Sequence, residues 1–178
     1  GCFQADKVWR LQTKYSGRKD IRRSKRRMEI IGIGNAGREI CKVFEQKGYK
    51  AYSIDDHSDA FVKFPKVKTI EEAEKVEINL SGLKNNIKSD HILCVMAGSG
   101  LITGACLRIL ENFRDKKIDF LYIQPDTSFM NNNGKTRERV VRNILQEFAR
   151  SGLFSKMWMV SNKNVSNLAP DISIVNYF

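Results

Sequence analysis

The sequence predicts a single α/β domain, a three-layer parallel sheet with helices on both faces. Three observations predict it. Strand and helix patterns alternate from Met28 onward. The strands are near-continuous apolar runs, as strands buried on both faces are. Two glycine-rich turns, at 32–37 and 98–104, each join the carboxyl end of a strand to a helix. With 178 residues, 42% of them hydrophobic, the chain can build one substantial core and not two comfortable ones.

The first strand is Glu29-Ile30-Ile31-Gly32-Ile33. A helix follows its glycine turn, with Ile40, Val43, Phe44 and Lys47 at helical spacing, and Gly48 closes it as a C-cap. Lys50-Ala51-Tyr52-Ser53-Ile54 is the second strand, ending in Asp55-Asp56. Residues 57–90 are weaker: a loop through Pro65, then one or two short helices, one opened by a capping box at Thr69-Ile70-Glu71-Glu72. His91-Ile92-Leu93-Cys94-Val95-Met96-Ala97 is a strand, and a helix starting near Ala105 carries Leu107, Ile109, Leu110 and Phe113. Asp119-Phe120-Leu121-Tyr122-Ile123-Gln124 is a buried strand stopped by Pro125. A polar loop over 126–136 leads to a helix over 137–150, where Val140, Val141, Ile144, Leu145 and Phe148 mark one face. Met157-Trp158-Met159-Val160-Ser161 is a fifth strand, with Trp158 expected in the core beside Phe120 and Tyr122. A polar, irregular stretch then runs to Phe178.

Charge is unevenly spread. Residues 1–27 carry ten Lys or Arg against Asp6 and Asp20, a net of +8 out of the chain's +11. This basic arm reads as solvated and disordered, or as an extension upstream of a natural start at Met28. As an arm it could bind nucleic acid or an anionic membrane through phosphate charge, with Trp9 and Tyr15 adding stacking. The four cysteines have no CxxC spacing, and Cys41, Cys94 and Cys106 fall in apolar contexts. That pattern fits reduced thiols in a cytoplasmic protein rather than a zinc site. His57 and His91 have no Cys or His at ligand spacing, which assigns them structural or surface roles. No apolar run reaches the length of a membrane span.

A glycine turn at a helix N-terminus presents unpaired N–H groups and the positive end of the helix dipole, a ready anion site. Three phosphate-binding patterns compete for these turns. Gly32, Gly34 and Gly37 fit the G-x-G-x-x-G of a Rossmann-type NAD(P) domain, with Asp55 23 residues beyond Gly32 where a ribose-binding acid belongs. That pattern leaves the second glycine turn unexplained. Gly134-Lys135-Thr136 precedes a helix like a Walker loop, but the pattern requires Gly at 129, where Phe129 stands.

The third pattern accounts for more residues. Gly34-Asn35-Ala36-Gly37-Arg38-Glu39-Ile40 resembles the first phosphate loop of tubulin. Gly98-Ser99-Gly100-Leu101-Ile102-Thr103-Gly104 matches the G-G-G-T-G-[ST]-G signature of the tubulin/FtsZ family at four of seven positions. Asn133-Gly134-Lys135-Thr136-Arg137 resembles the ribose-side loop of FtsZ, and Met159-Val160-Ser161-Asn162-Lys163-Asn164 is similar to its strand ending in I-P-N-D. The wording of 145–154 looks closest to the divergent tubulin-like proteins of tailed phages. Residues 28–178 are thus identified as resembling the Rossmann-like nucleotide-binding domain of that family.

The resemblance implies a GTP/GDP site with Mg²⁺, in a cytoplasmic filament protein whose subunits stack head to tail. It implies phosphate contacts from Gly34, Asn35, Ala36, Gly37, Gly98, Ser99, Gly100, Leu101, Thr103 and Gly104. Glu39 stands where the family uses Gln, and Asp55 and Asp56 where an acid approaches the γ-phosphate and its magnesium. Asn133 and Arg137 would reach the sugar and phosphate edge. Leu101 and Ile102 replace Thr and Gly of the signature, and a β-branched residue tolerates positive φ poorly. The family's water-positioning acid lies beyond the central helix that follows this domain. The expectation for residues 1–178 alone is therefore a nucleotide half-site with negligible turnover.

Overall fold

A computed structural model describes residues 28–163. The basic arm, Cys2 and the stretch from Asn164 to Phe178 lie outside the described residues. The elements are β1 (Met28–Ile33), α1 (Gly34–Gln46), β2 (Ala51–Asp55), β3 (Val62–Lys63), α2 (Ile70–Lys75), α3 (Ser81–Asn86), β4 (His91–Ala97), a 3-10 turn (Leu101–Ala105), α4 (Cys106–Glu111), β5 (Lys117–Gln124), a second 3-10 turn (Thr127–Phe129), α5 (Asn132–Arg150) and β6 (Phe154–Ser161). All pairings in the sheet are parallel, in the order β3-β2-β1-β4-β5-β6. This is the doubly wound arrangement, with its topological switch between β1 and β4.

The apolar runs explain the sheet's centre. Ile30, Ile31 and Ile33 of β1, and Ile92, Cys94, Val95 and Met96 of β4, have no more than 1% exposure, so these strands are sandwiched on both faces. Successive side chains point to opposite faces. Ile31, Ile33, Ile92, Cys94, Met96, Phe120 and Tyr122 join the larger core, which α4 completes with Ile109 and Leu110 and α5 with Val141 and Leu145. Ile30, Leu93 and Val95 join the smaller core, which α1 completes with Cys41, Ile40 and Phe44. Helix α1 packs over β1, β2 and β4. The expectation of helices on both faces therefore holds for the centre of the sheet, and among the described residues α1 alone supplies the second face.

Local signals worked where they were strong. Gly48 adopts φ +83°, and its N–H donates to the carbonyl of Glu45 at 2.8 Å, ending α1 as a left-handed cap. Thr69 Oγ1 accepts from the Glu72 N–H at 3.1 Å, and Glu72 Oε2 accepts from the Lys68 N–H at 2.7 Å, a capping box displaced by one residue on its return bond.

Several expectations need correction. The strand β3 was not anticipated; it is two residues long and exists only through its pairing of Val62 with Ile54 and Lys63 with Asp55. Helix α5 starts at Asn132 rather than Arg137, because Asn131 caps it by accepting the Gly134 N–H at 2.8 Å. The Gly134-Lys135-Thr136 run is thus the first turn of a helix. Val43, Val140 and Ile144, placed on apolar faces by spacing, are exposed. Trp158 is 45% exposed rather than core. Only Phe154, stacked on Phe120 at 4.8 Å, buries its side chain fully from β6.

Candidate anion-binding site

Both glycine turns sit at the carboxyl ends of β1 and β4, the two strands that flank the switch point, where doubly wound sheets hold ligands. Their glycines do different work. Gly34 has φ +77°, a conformation costly for any L side chain, and lets the chain turn from β1 straight into α1. A Cβ on Gly32 would lie 2.2 Å from the Gly37 carbonyl oxygen, and one on Gly37 would lie 2.7 Å from that of Val95, so these two let the helix press onto the sheet. In the second loop, a Cβ on Gly98 would fall 1.8 Å from the Tyr122 hydroxyl oxygen, and one on Gly104 would fall 2.4 Å from the Ile70 carbonyl oxygen. Gly98 and Gly104 are packing glycines. Gly100 alone in this loop is uncrowded, its nearest prospective neighbour being Ile102 Cγ2 at 3.6 Å.

Leu101 and Ile102 do not adopt positive φ; among the described residues, no residue other than glycine does. The chain instead winds 101–105 into a 3-10 turn, on which α2 packs. Thr103 is buried within that turn, and its hydroxyl donates to the Gly100 carbonyl at 2.7 Å. The sequence expectation had that hydroxyl donating to a phosphate; in the structure its proton closes the loop.

Between the two loops lies a cleft of about 70 Å³ lined by Gly34, Asn35, Ala36, Ser99, Gly100 and Ile102, together with Ile33, Ala97, Pro125 and Asn162. A wider cleft of about 240 Å³ shares Asn35, Gly100 and Ile102 with it and reaches Asp55, Asp56 and Leu101. Each is smaller than the ~300–1,000 Å³ usual for small-molecule pockets. The N-terminus of α1 opens here without a side-chain cap and without an acid in its first turn. Its unpaired N–H groups and dipole therefore favour an anion. The Arg137 guanidinium donates to the Ser99 carbonyl at 3.4 Å, which brings a cation from α5 to the second loop.

The acids are arranged otherwise than expected. Asp55 is buried and accepts from Arg38 Nε at 2.9 Å and from the Asp56 N–H at 2.9 Å. Arg38, itself 7% exposed, also donates to both oxygens of Asp59 at 2.9 and 3.0 Å and to Asn35 Oδ1 at 2.7 Å. Burial works against its charge, but the hydrogen bond with Asp55 and the charges of Asp59 and Glu39 outweigh it and keep the guanidinium protonated. Glu39 faces Arg38 and Lys42 at 2.9 and 3.1 Å, in a cluster on the side of α1. Asp56 is exposed and lines the wider cleft. Asn133 is exposed in the first turn of α5. His57 pairs with Asp59 at 2.6 Å, and His91 pairs with Asp119 at 2.8 Å at the amino end of the sheet, far from both loops in register.

Arg38 had no role in the sequence reading, although it stands inside the first loop motif; a cation among Asn35, Asp55, Asp56 and Asp59 was the available signal. Among the described residues, no group of three or more His, Cys, Asp or Glu side chains could hold a metal ion. A Mg²⁺ here would take most of its ligands from phosphate oxygens and water, as this ion commonly does, with Asp56 the exposed one of the two acids that line the wider cleft. No helix among the described residues is long and apolar enough to cross a membrane.

The sequence matches no protein-family model, no curated protein and no solved structure. Fold and cleft together define the class: a doubly wound, Rossmann-like α/β domain with an anion-suited crevice at its switch point.

Proposed function

We propose that this domain binds the phosphates of a guanine nucleotide, GTP or GDP with Mg²⁺, between the β1–α1 and β4–α4 loops, as the nucleotide-binding half of a tubulin/FtsZ-like filament GTPase. One observation carries the reading: two glycine loops line one small cleft that the uncapped N-terminus of α1 faces, and Arg137 donates to the Ser99 carbonyl of the second loop. The backbone N–H groups of Gly34, Asn35 and Ala36 would meet one set of phosphate oxygens, and Ser99 and Gly100 the other. The two clefts suit the phosphate end of such a ligand, with its magnesium toward Asp56 and its ribose toward Asn133 and Arg137. GTP cleavage would need an acid that neither loop supplies, and residues 1–178 alone are expected to turn over negligibly. Head-to-tail stacking of subunits, a heterologous and open contact, is part of the same proposal.

The strand order also serves dinucleotide-binding domains, so an NAD(P) domain is the second reading. The position that would hold the adenosine ribose is Asp55, and Arg38 already engages that carboxylate. This contact favours the mononucleotide reading. Thermal unfolding of the chain with GTP, ATP, NAD⁺ or NADH, each with and without Mg²⁺, tests both. A ligand at 100 times its Kd stabilises by about 2.7 kcal/mol. A shift with GTP alone supports the proposal, a shift with NAD⁺ or NADH replaces it with the second reading, and no shift with any of them overturns both.

A further inference from the structure

Arg38 reaches the cleft only through two of its neighbours. Its side chain is buried and lines neither opening, yet it bonds Asn35, which lines both, and Asp55, which lines the wider one. A guanidinium carries donors and no acceptor. The Asn35 amide must therefore turn Oδ1 to Arg38, at 2.7 Å, which leaves its two N–H bonds at the other end. Among the described residues no acceptor takes up those N–H groups. The Asp55 carboxylate is engaged at both oxygens, Oδ2 by Arg38 Nε and Oδ1 by the Asp56 N–H. The rest of the guanidinium is committed as well: Asp59 accepts from Nη1 with both oxygens, and Glu39 Oε1 stands 2.9 Å from the same nitrogen.

We propose that Arg38 is the positioning residue that fixes the hydrogen-bonding sense of this cleft. It holds Asn35 as a donor, beside the unpaired backbone N–H groups at the start of α1, and it withdraws Asp55 as an acceptor. Resting on the nucleotide reading above, this assigns the β1–α1 side of the cleft to a ligand group that only accepts, the oxygens of a di- or triphosphate. A ribose hydroxyl is the disfavoured alternative, because its own proton would need an acceptor there. An amide on the exposed end of a helix could otherwise offer its oxygen or its nitrogen to a ligand equally. With one end held by a buried cation, the choice is made before the ligand arrives, and little freedom is lost on binding.

Titration calorimetry of the full chain with pyrophosphate, and with GTP and Mg²⁺, tests this on three variants. Asn35→Asp keeps an acceptor for Arg38 and adds an acid to the first turn of α1, which the helix dipole favours. It should melt at or above the wild-type temperature while both probes bind about ten- to a hundredfold more weakly. The double variant R38M/D55N removes one charge of each sign, so the net charge around the cleft is unchanged and no buried carboxylate is stranded. It should weaken both probes about tenfold. Adding Asn35→Ala to that pair should cost no further affinity, since Arg38 acts through Asn35. The side-chain amide resonances of Asn35, identified by their loss in Asn35→Asp, should move on addition of pyrophosphate to the wild-type protein. Wild-type affinity in Asn35→Asp or in folded R38M/D55N overturns the proposal. So do losses that multiply in N35A/R38M/D55N, and so do Asn35 amide resonances that stay in place while pyrophosphate binds. A wild-type chain that binds neither probe is a different result: it overturns the nucleotide reading itself, and the role of Arg38 with it.

Discussion

Replacing Arg38 with Met removes the cation from a buried carboxylate while keeping much of the side chain's apolar stem. The Arg38–Asp55 contact at 2.9 Å corresponds to an attraction of about 6 kcal/mol at an effective dielectric near 20. Desolvating both ions takes much of that back, so the intact pair contributes little net stability. Truncating one partner is a different matter. In Arg38→Met the attraction is lost, the desolvation of Asp55 remains, and only the Asp56 N–H is left to it as a donor. The expected cost is about 3–5 kcal/mol, a large share of the 5–15 kcal/mol typical of a domain. Asp55→Asn should cost less, about 1–2 kcal/mol, because Arg38 keeps Asp59 and Asn35 as partners. Urea unfolding of the three proteins, with midpoint and slope fitted together, measures both numbers. A loss below about 1 kcal/mol for Arg38→Met, or a larger loss for Asp55→Asn than for Arg38→Met, would refute the view that Arg38 is the hub of this cluster.

Three further predictions concern the loops, the acid limb and the thiols. Gly104→Ala should destabilise by about 1–3 kcal/mol, because its Cβ would meet the backbone of Ile70. Gly100→Ala, with φ −77° and open space around it, should leave the melting temperature within a few degrees while weakening any nucleotide held by that loop; an unfolded Gly100→Ala protein would contradict this division of labour. Slight burial acts upward on the Asp59 carboxyl, but hydrogen bonds with Lys42 and His57 and the charge of Arg38 bring it down to about 2. A depressed carboxyl stabilises the fold above the unfolded value near 4 and loses that contribution as pH falls toward 2. Asp59→Asn should therefore flatten the loss of stability between those limits in an acid titration followed by circular dichroism. Burial pushes the thiols of Cys41 and Cys106 up to about 12, and that of Cys94 upward too. All three are free and buried, and should resist an aromatic disulfide reagent at pH 8 until the protein is unfolded; fast reaction of more than one thiol in the native protein, where Cys2 is the remaining cysteine, would show a core looser than described.

The sequence carried the central strands and the two loops because their signals are local. The β1 and β4 runs are apolar beyond Glu29 and His91, and a glycine follows each where the chain must turn or be closely approached. What it did not carry depends on partners distant in sequence. Nothing near Asp55 says that a guanidinium 17 residues earlier will occupy it. The Thr103 hydroxyl was free on paper, and only the 3-10 winding of 101–105 turns it onto Gly100. Three consecutive asparagines read as loop, although the first of them caps a helix. Trp158 shows the same limit for packing. Its strand has the apolar run of a buried one, and burial requires a second layer that periodicity along β6 cannot report.

The strand that comes first in the described chain lies in the middle of the sheet, and this bears on how the domain reaches its native state. β1 pairs with β2, about 20 residues on, and with β4, about 60 residues on. The β1–α1–β2 unit can close early, since its loop is short. The other edge of β1, with Ile30, Ile31 and Ile33 along it, then waits for residues 91–97. A chain with only that unit formed would hold an open, apolar strand edge, the kind of surface that pairs with other chains. Docking of β4 is a long-range closure of the sort that slows folding, and it completes the sheet's centre and brings the two glycine loops together in one step.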